Sequence, residues 1–281
     1  MSQLNVNVIA PLGYIGPDLT GDNNFVQIVD NNANTVFKTD TDTNVAVGLF
    51  SMYANTSGIS NVAVGPGSLG QLVSTNQNSA LGNNAGNTLT SGNNNVFVGH
   101  ASAPAFTSGD QNIFIGALSG ASIGNPTYQT SGNNNIHIGY STRPASNTAS
   151  NAITLGNASH TVIRAAVTTI TSLSDERDKK EIEELPVGLE FIEKLKPVKF
   201  VWNDRDESGK HDVEDFGFIA QDLKAAQEES EAGYLNLVYD ENPEKLEASY
   251  GKLLPVLVKA IQEMSSEIKS LKEKVLTLKS K

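Results

Sequence analysis

The chain has 281 residues, a formal net charge of −11 at neutral pH and no cysteine. The negative charge argues against nucleic-acid binding, because phosphate contacts are made by lysine and arginine. The lack of cysteine excludes disulfides, thiolate metal sites and thiol nucleophiles. The first residues show no basic segment followed by an apolar run, and no stretch is long and apolar enough to span a bilayer. We therefore expect neither secretion nor membrane insertion.

Composition changes near residue 171. Every glutamate lies after this point, starting at Glu176, whereas the only basic residues before it are Lys38, Arg143 and Arg164. Asn, Gly, Ser, Thr, Val and Ile dominate the first half, and the second half carries nearly all of the Lys and Glu. Turn and strand formers followed by helix formers predict two architectures in series. We expect a mainly β half, and then an α+β half that ends in a helix.

Residues 1–43 do not repeat. The segment FVQIVDNNANTVFKT predicts two strands around an Asp-Asn-Asn turn. Two interpretations remain open for residues 1–43: a cap on the β structure that follows, or an adaptor that docks the chain to another protein.

Residues 44–171 contain a repeat that ends at a glycine. Six of the seven copies have Asn four residues before the glycine, and all seven have a small residue three after it. A fixed period over seven copies predicts stacked coils of short strands, as in a β-roll or β-helix, in which each Asn stacks on its equivalents in neighbouring coils. The copies are spaced by 17, 17, 17, 17, 23 and 17 residues and end at Gly48, Gly65, Gly82, Gly99, Gly116, Gly139 and Gly156.

The strand of each repeat has two faces. The residues three and one before the glycine point the same way and are apolar at thirteen of fourteen positions. We expect this face to form the core, and the varying middle residue (Ala46, Phe97, His137, Thr154) to lie on the less constrained face. A solenoid of one chain is thin, so we also expect several chains to share the core.

The interval between Gly116 and Gly139 is six residues longer than the others. Asn125, Pro126 and Tyr128 within it predict an exposed loop. A plain surface insertion is one interpretation, and a lateral receptor-binding site is the other.

The second half contains S-D-E-R-D-K-K-E-I and, further on, F-G-F-I-A-Q-D-L. The order of these blocks resembles the endosialidase-type intramolecular chaperone, the C-terminal self-processing domain of phage tail spikes and fibres, over about residues 172–281. The family's pattern Ser-Asp-x-Arg-x-Lys-x-x-Ile is matched by Ser174, Asp175, Arg177, Lys179 and Ile182, and its second block by Gly217, Ala220 and Gln221.

This resemblance implies a domain that trimerises, guides folding of the β structure before it and is then released by a Ser–Lys dyad. Carried onto this sequence, Ser174 is the nucleophile, Lys179 is the base, and the bond between Ser174 and Asp175 is cut. A serine hydroxyl needs a base to become nucleophilic. A lysine amine serves only when it is desolvated or crowded by other cations, and Arg177 and Lys180 flank Lys179.

The hypothesis for the chemistry is attack of Ser174 on its own carbonyl, which gives an ester. Two other interpretations of the motif stay open. It is either a solvated helix start with Ser174 as N-cap, or it belongs to a domain that keeps the family fold without cleavage.

Residues 44–160 resemble the head repeats of trimeric autotransporter adhesins and related phage fibre shafts, which form trimeric parallel β-rolls. The period of this chain is longer than that of the adhesins. Residues 254–278 step by three and four between apolar side chains, which predicts a coiled coil over about 250–279. One amphipathic helix packed on its own domain is the alternative, and the strand number of three comes from the family resemblance. The stepping residues are Leu254, Leu257, Ile261, Met264, Ile268, Leu271, Val275 and Leu278.

We therefore predict a homotrimeric phage fibre or tail-spike-type protein with a structural and host-adhesion role, assembled in the host cytoplasm and carried in the virion. Its predicted domains are 1–43 for virion attachment or capping, 44–171 for the shaft and 172–281 for the chaperone. A host surface glycan or protein is the candidate receptor, and no cofactor or nucleic-acid partner is expected. The single enzymatic activity expected is one turnover of the Ser–Lys autoprotease.

Two rival functions remain. One is a virion-borne glycan hydrolase with a site between chains, which would need paired carboxylates, although Asp110 is the single acidic residue within the repeats. The other is a purely structural fibre with an uncleaved trimerisation cap. No metal site is expected, since the histidines, at 100, 137, 160 and 211, show no metal-ligand spacing.

Overall fold

The structure is a computed structural model that describes residues 27–29, 35–39, 43–122, 125–157, 159–160, 162–166, 170–203 and 212–280. The described residues divide at about residue 161 into two compact units.

The first unit is a parallel β-solenoid in which each coil contributes one short strand to a nine-stranded sheet. Seven of its strands pair in parallel and in register one repeat apart, as where Val62 faces Ser79. This arrangement confirms the stacked coils predicted from the period and the parallel β-roll that the resemblance implies. The strands of the unit are β1 (Gln27–Val29), β2 (Thr35–Thr39), β3 (Val45–Val47), β4 (Val62–Val64), β5 (Ser79–Leu81), β6 (Val96–Val98), β7 (Ile113–Ile115), β8 (Ala121–Ser122), β9 (Asn125–Tyr128), β10 (Ile136–Ile138) and β11 (Ile153–Leu155).

The N-terminal edge of the sheet is paired. Strand β1 runs antiparallel to β2, and β2 runs antiparallel to β3, with Lys38 opposite Ala46. The two strands predicted before the repeats are therefore confirmed, while their Asp-Asn-Asn turn lies outside the described residues. Pairing with β2 satisfies the backbone groups that the first coil would otherwise leave open.

A ladder of buried asparagines runs through the coils. In its middle, the side-chain oxygen of Asn95 accepts hydrogen bonds from the backbone N–H and the side-chain amide of Asn112, at 2.9 and 3.0 Å. Its own amide donates to the carbonyl of Gly109 at 2.8 Å and to the side-chain oxygen of Asn78 at 3.0 Å. The predicted stacking is confirmed, and it satisfies backbone groups that have no access to water. The ladder consists of Asn44, Asn61, Asn78, Asn95, Asn112 and Asn135.

The glycines that end the strands permit this close stacking. Gly65 has a φ of +131°, and a Cβ placed there would lie 2.4 Å from the carbonyl oxygen of Gly82 in the next coil. Both the backbone conformation and the lack of space therefore exclude a side chain at this position.

In six of the seven coils the middle residue of the strand is buried in the interior of the coil. The side chains on either side point outward, and Leu81 and Ile138 are 54% and 43% exposed. The prediction that the flanking residues form the core is wrong within one chain, because alternation defines two faces but does not tell which one is enclosed. The middle residue varies because its size has to fill the local interior. The buried middle residues are Ala46, Ala63, Ala80, Phe97, Phe114 and His137.

The larger interior residues form a stack. The rings of Phe97 and Phe114 are 5.6 Å apart between centroids, and His137 stacks on Phe114 at 5.1 Å. Within the described part of the chain, neither ring nitrogen of His137 has a hydrogen-bond partner. Burial alone lowers the pKa of His137 from 6.5 to about 4, since an apolar interior disfavours the charged imidazolium.

The long interval folds as a hairpin and not as an irregular loop. Strands β8 and β9 pair antiparallel, with Ala121 opposite Tyr128. The side-chain amide of Gln129, buried at the base of the hairpin, donates to the carbonyl of Ala149 at 2.7 Å. These contacts tie the insertion to the next coil.

The second unit is a small α+β assembly that ends in a helix of 27 residues. This order confirms the architecture predicted for the second half. Its strands form antiparallel pairs, β12 with β13 and β14 with β15, and its core contains Phe191, Leu223, Leu237 and Val256. The elements are α1 (Leu189–Lys194), β12 (Val198–Val201), β13 (Glu214–Gly217), α2 (Ala220–Glu229), β14 (Val238–Tyr239), β15 (Glu247–Ala248) and α3 (Leu253–Lys279).

Helix α3 buries one side of its first turns and exposes the predicted heptad residues. Leu253, Val256 and Ala260 are buried, and α3 contacts α1. The heptad residues from Leu254 to Leu278 lie on a different stripe, where each is between 41% and 71% exposed. Packing within the second unit therefore buries only the first turns of α3. The coiled coil along the exposed heptad residues stays a prediction. Among the helices of the described segments, none has the length and apolar character to cross a membrane.

Replacing Asn95 by alanine is predicted to destabilise the solenoid. The change leaves the buried N–H of Asn112 and carbonyl of Gly109 without their partner, at a cost of about 2–4 kcal/mol in the free energy of unfolding. Urea unfolding of Asn95→Ala beside Asn83→Ala, an exposed asparagine outside the ladder, measures this cost. Equal midpoints for the two variants would refute the importance of the ladder.

The buried His137 predicts a loss of stability in acid. The unfolded chain binds a proton at a pKa of about 6.5 and the folded chain only at about 4. The free energy of unfolding therefore falls as the pH drops through this window, by about 3 kcal/mol per chain. Urea unfolding at about pH 7 and about pH 4.5 should show a smaller decline for His137→Phe than for wild type. The exposed control His100→Phe should decline like wild type, and an equal decline for all three proteins would contradict the prediction.

Candidate functional site

The predicted cleavage site lies at the start of the second unit, in a segment that is fully exposed. Leu173, the residue before the dyad, is 98% exposed. Ser174 and Lys179 are also exposed. No described residue of the same chain covers them.

A single turn of 3-10 helix over Glu176–Asp178 shapes the segment. Asp175 caps this turn, because its carboxylate accepts from the backbone N–H of Arg177 at 2.9 Å. The Arg177 guanidinium also donates to the same carboxylate through Nε at 3.0 Å and Nη2 at 2.6 Å. The cap is thus Asp175, and not Ser174 as the helix-start interpretation requires. The forked pair fixes the turn that follows the scissile bond.

The turn brings Lys179 back to Ser174. The Nζ atom of Lys179 donates to the Oγ of Ser174 at 2.6 Å and to its carbonyl oxygen at 3.1 Å. This carbonyl belongs to the bond between Ser174 and Asp175. The structure therefore places the predicted nucleophile, the predicted base and the predicted scissile carbonyl in mutual contact.

The charges around the dyad are largely paired. The Arg177 guanidinium lowers the pKa of Asp175, and Asp175 raises the pKa of Arg177. Lys180 lies 3.9 Å from a carboxylate oxygen of Glu181. Both cations that were expected to crowd Lys179 thus have carboxylate neighbours.

Residues 174–231 match the family model described as Chaperone of endosialidase, Peptidase S74. This segment is similar to endosialidase-type chaperones. The match covers about a fifth of the chain and begins at Ser174 itself. No curated protein and no solved structure matches the chain. The match indicates a phage-associated protein of the tail-fibre or tail-spike type, and in this chain the matching segment follows a β-solenoid.

The second motif block of the chaperone has a structural role. A Cβ at Gly217 would lie 2.7 Å from the hydroxyl oxygen of Tyr250. That hydroxyl accepts from the backbone N–H of Phe218 and donates to its carbonyl, both at 3.2 Å. Ala220 and Gln221 begin α2. The block thus joins β13 to α2 and to Tyr250 in the turn just before α3, and no hydrogen bond among the described residues links it to the dyad.

The remaining predicted site residues lie on the solenoid unit. Asn125, Pro126 and Tyr128 belong to β9, where Tyr128 is 37% exposed. His100 and His160 are exposed and His137 is buried, while His211 falls outside the described residues. In the described ranges, no group of three His, Asp or Glu residues could hold a metal ion.

A second ladder, which includes Asp110, was not predicted from the sequence. A carboxylate oxygen of Asp110 accepts from the backbone N–H of Asn93 at 2.7 Å, and its own N–H donates to the side chain of Asn133 at 2.8 Å. The 17-residue spacing from Asn76 to Asn93 and Asp110 was the signal that could have shown it. Asp110 is therefore occupied in holding neighbouring coils together.

Proposed function

We propose that this chain is a structural and host-adhesion protein of a phage fibre, whose chaperone assembles three copies and is released by cleavage between Ser174 and Asp175. The contact of the Lys179 amine with both the Ser174 hydroxyl and the scissile carbonyl carries this proposal. It lies at the first residues of the segment that matches the chaperone family.

The chemistry follows from that contact. When the amine of Lys179 is deprotonated, it accepts the proton of the Ser174 hydroxyl, and the Oγ attacks a carbonyl carbon. The bond to the nitrogen of Asp175 then breaks, and this nitrogen takes the proton from Lys179. Water hydrolyses the ester, which leaves a carboxylate on Ser174 and an amine on Asp175.

Two carbonyls can receive the attack. Attack of Ser174 on its own carbonyl closes a ring of four atoms, whose compressed bond angles are strained. Attack on the Ser174 carbonyl of a neighbouring copy gives an unstrained ester. Contact between copies would also exclude water from the exposed amine, which favours its neutral form.

Assembly of several copies is supported by the outer face of the solenoid. The outward positions of the seven parallel strands are apolar except for Ser79, and they form a stripe roughly 29 Å long at the usual strand spacing. Apolar patches of this extent mark association surfaces. Because every coil repeats the same pattern, identical copies match coil by coil. The stripe supports an assembly in which several chains bury their outward apolar side chains together. The number of three chains rests on the resemblance to the chaperone family.

A helical chaperone suits such a shaft. Interchain β structure needs contacts between distant residues before burial stabilises it, so that it folds slowly and with errors of register. The heptad stripe of α3 would hold the copies together at high effective concentration. Removing the chaperone afterwards leaves a shaft that is trapped kinetically.

Intact mass measurement tests the cleavage. Wild type should separate into residues 1–174 and 175–281, while Ser174→Ala and Lys179→Ala stay whole. The exposed control Lys180→Ala should cleave like wild type. The dyad would be refuted if the Ser174→Ala protein, expressed by itself, were cleaved at the normal rate. Wild type that stays whole would also refute it.

Mixed assemblies distinguish the two carbonyls. A tagged Ser174→Ala chain is co-expressed with wild type and its mass is followed. If attack crosses between copies, the tagged chain is cut after residue 174. If attack stays within one residue, the tagged chain stays whole while wild type is cut.

The N-terminal residues and the hairpin would supply the contacts of the fibre. We propose that residues 1–43 attach to virion proteins and that the β8–β9 hairpin, with the exposed Tyr128, binds a host surface glycan or protein. Replacing residues 120–129 by a short turn should reduce adsorption to host cells by roughly tenfold or more, as expected when an aromatic anchor is lost. Adsorption that is unchanged would exclude the hairpin as the receptor site.

A further inference from the structure

An apolar groove lies in the chaperone unit between α1, the β12–β13 pair and the start of α3. Its volume is about 720 Å³. Its walls include Ile192, Leu195, Val198, Phe216, Phe218 and Leu257. Lys199 also lines it, and its amine is paired with the carboxylate of Glu214 at 2.8 Å. The groove therefore suits apolar side chains, and its described lining residues offer no unpaired charge.

Phe216 is the most exposed large apolar residue of this groove. It lies on β13, opposite Lys199 on β12, and it is 83% exposed. The neighbouring strand residues Glu214 and Asp215 are polar and exposed. A phenylalanine in such a position leaves a large apolar surface in water, which costs free energy unless another surface covers it.

The groove is continuous with the heptad stripe of α3. Leu257 lines the groove and is also the second residue of the stripe. Leu254, one helical turn earlier, is 66% exposed. A heptad stripe is complementary to the same stripe of another copy. A bundle formed along it would therefore bring the groove of one copy against the next copy.

We propose that the groove is occupied by a second copy of this chain, with Phe216 covered at the contact. The inference rests on the proposed trimerisation and assigns a surface to it. In a ring of copies, the groove of each chain faces a different surface of its neighbour, and such contacts close the ring without a free end. The groove and the stripe then act as one interface, in which β13 sets the orientation of the copies and α3 supplies most of the buried length.

The lack of cysteine in the chain provides a direct probe. Phe216→Cys is made in the Ser174→Ala background, so that the chaperone stays attached, and its reaction rate with a maleimide is measured. The reference is the same protein with Ile261→Asp and Ile268→Asp, which disrupt the stripe. Glu228→Cys, an exposed position on α2, is the control.

The proposal predicts that the thiol of Phe216→Cys reacts at least tenfold more slowly in the assembled protein than in the reference, while the thiol of Glu228→Cys reacts equally in both. Assembled protein in which the thiol at position 216 reacts at the reference rate would overturn the groove proposal and leave trimerisation intact. Protein that is monomeric before any change to the stripe would overturn both.

A second variant keeps the test independent of labelling. Phe216→Asp should retain its helix content by circular dichroism and dissociate at a concentration at least tenfold higher than its parent, measured by analytical ultracentrifugation. Tyr234→Asp removes an exposed aromatic residue outside the groove and should assemble like the parent. Equal dissociation of the two variants would contradict a role of Phe216.

Discussion

The stacking of identical residues one coil apart is the constraint on which the solenoid depends. Each buried asparagine satisfies its neighbour in the next coil, as where Asn95 accepts from both amide groups of Asn112. This geometry requires the coils to approach so closely that the strand-ending glycines cannot carry a Cβ. It also forces the strands into register, and register in turn collects the outward Val, Ile and Leu side chains into one apolar stripe. The surface that we propose for assembly is thus a consequence of the ladder.

Much of this was predictable because it is periodic. The spacing of the glycines predicted parallel coils, and the position of the asparagines predicted their stacking. The enclosed face was not predictable, because alternation along a strand is the same whichever side faces inward. The residue type at the middle position of the strand varies from coil to coil, which is typical of an exposed position. Phe97 and Phe114 occupy this position, yet they fill the interior. The hairpin after Gly120 was also missed, since a stretch with Asn and Pro is equally typical of a loop.

In the chaperone, sequence pattern predicted the pair Ser174 and Lys179, and the structure places them in contact. The cap at Asp175 was not predicted, because Ser and Asp are both favourable caps and their choice depends on where the turn begins. The groove around Phe216 could not be predicted at all, since it joins α1, β13 and α3 from distant parts of the chain. Motif positions identify chemistry, whereas surfaces depend on how the elements pack.

We propose that three copies assemble first and that Lys179 and Ser174 then remove the chaperone. Native mass spectrometry of the purified wild-type protein tests it most directly, because it reports stoichiometry and cleavage together. We expect a particle of three chains that each end at Ser174. A single chain that retains all 281 residues would contradict it.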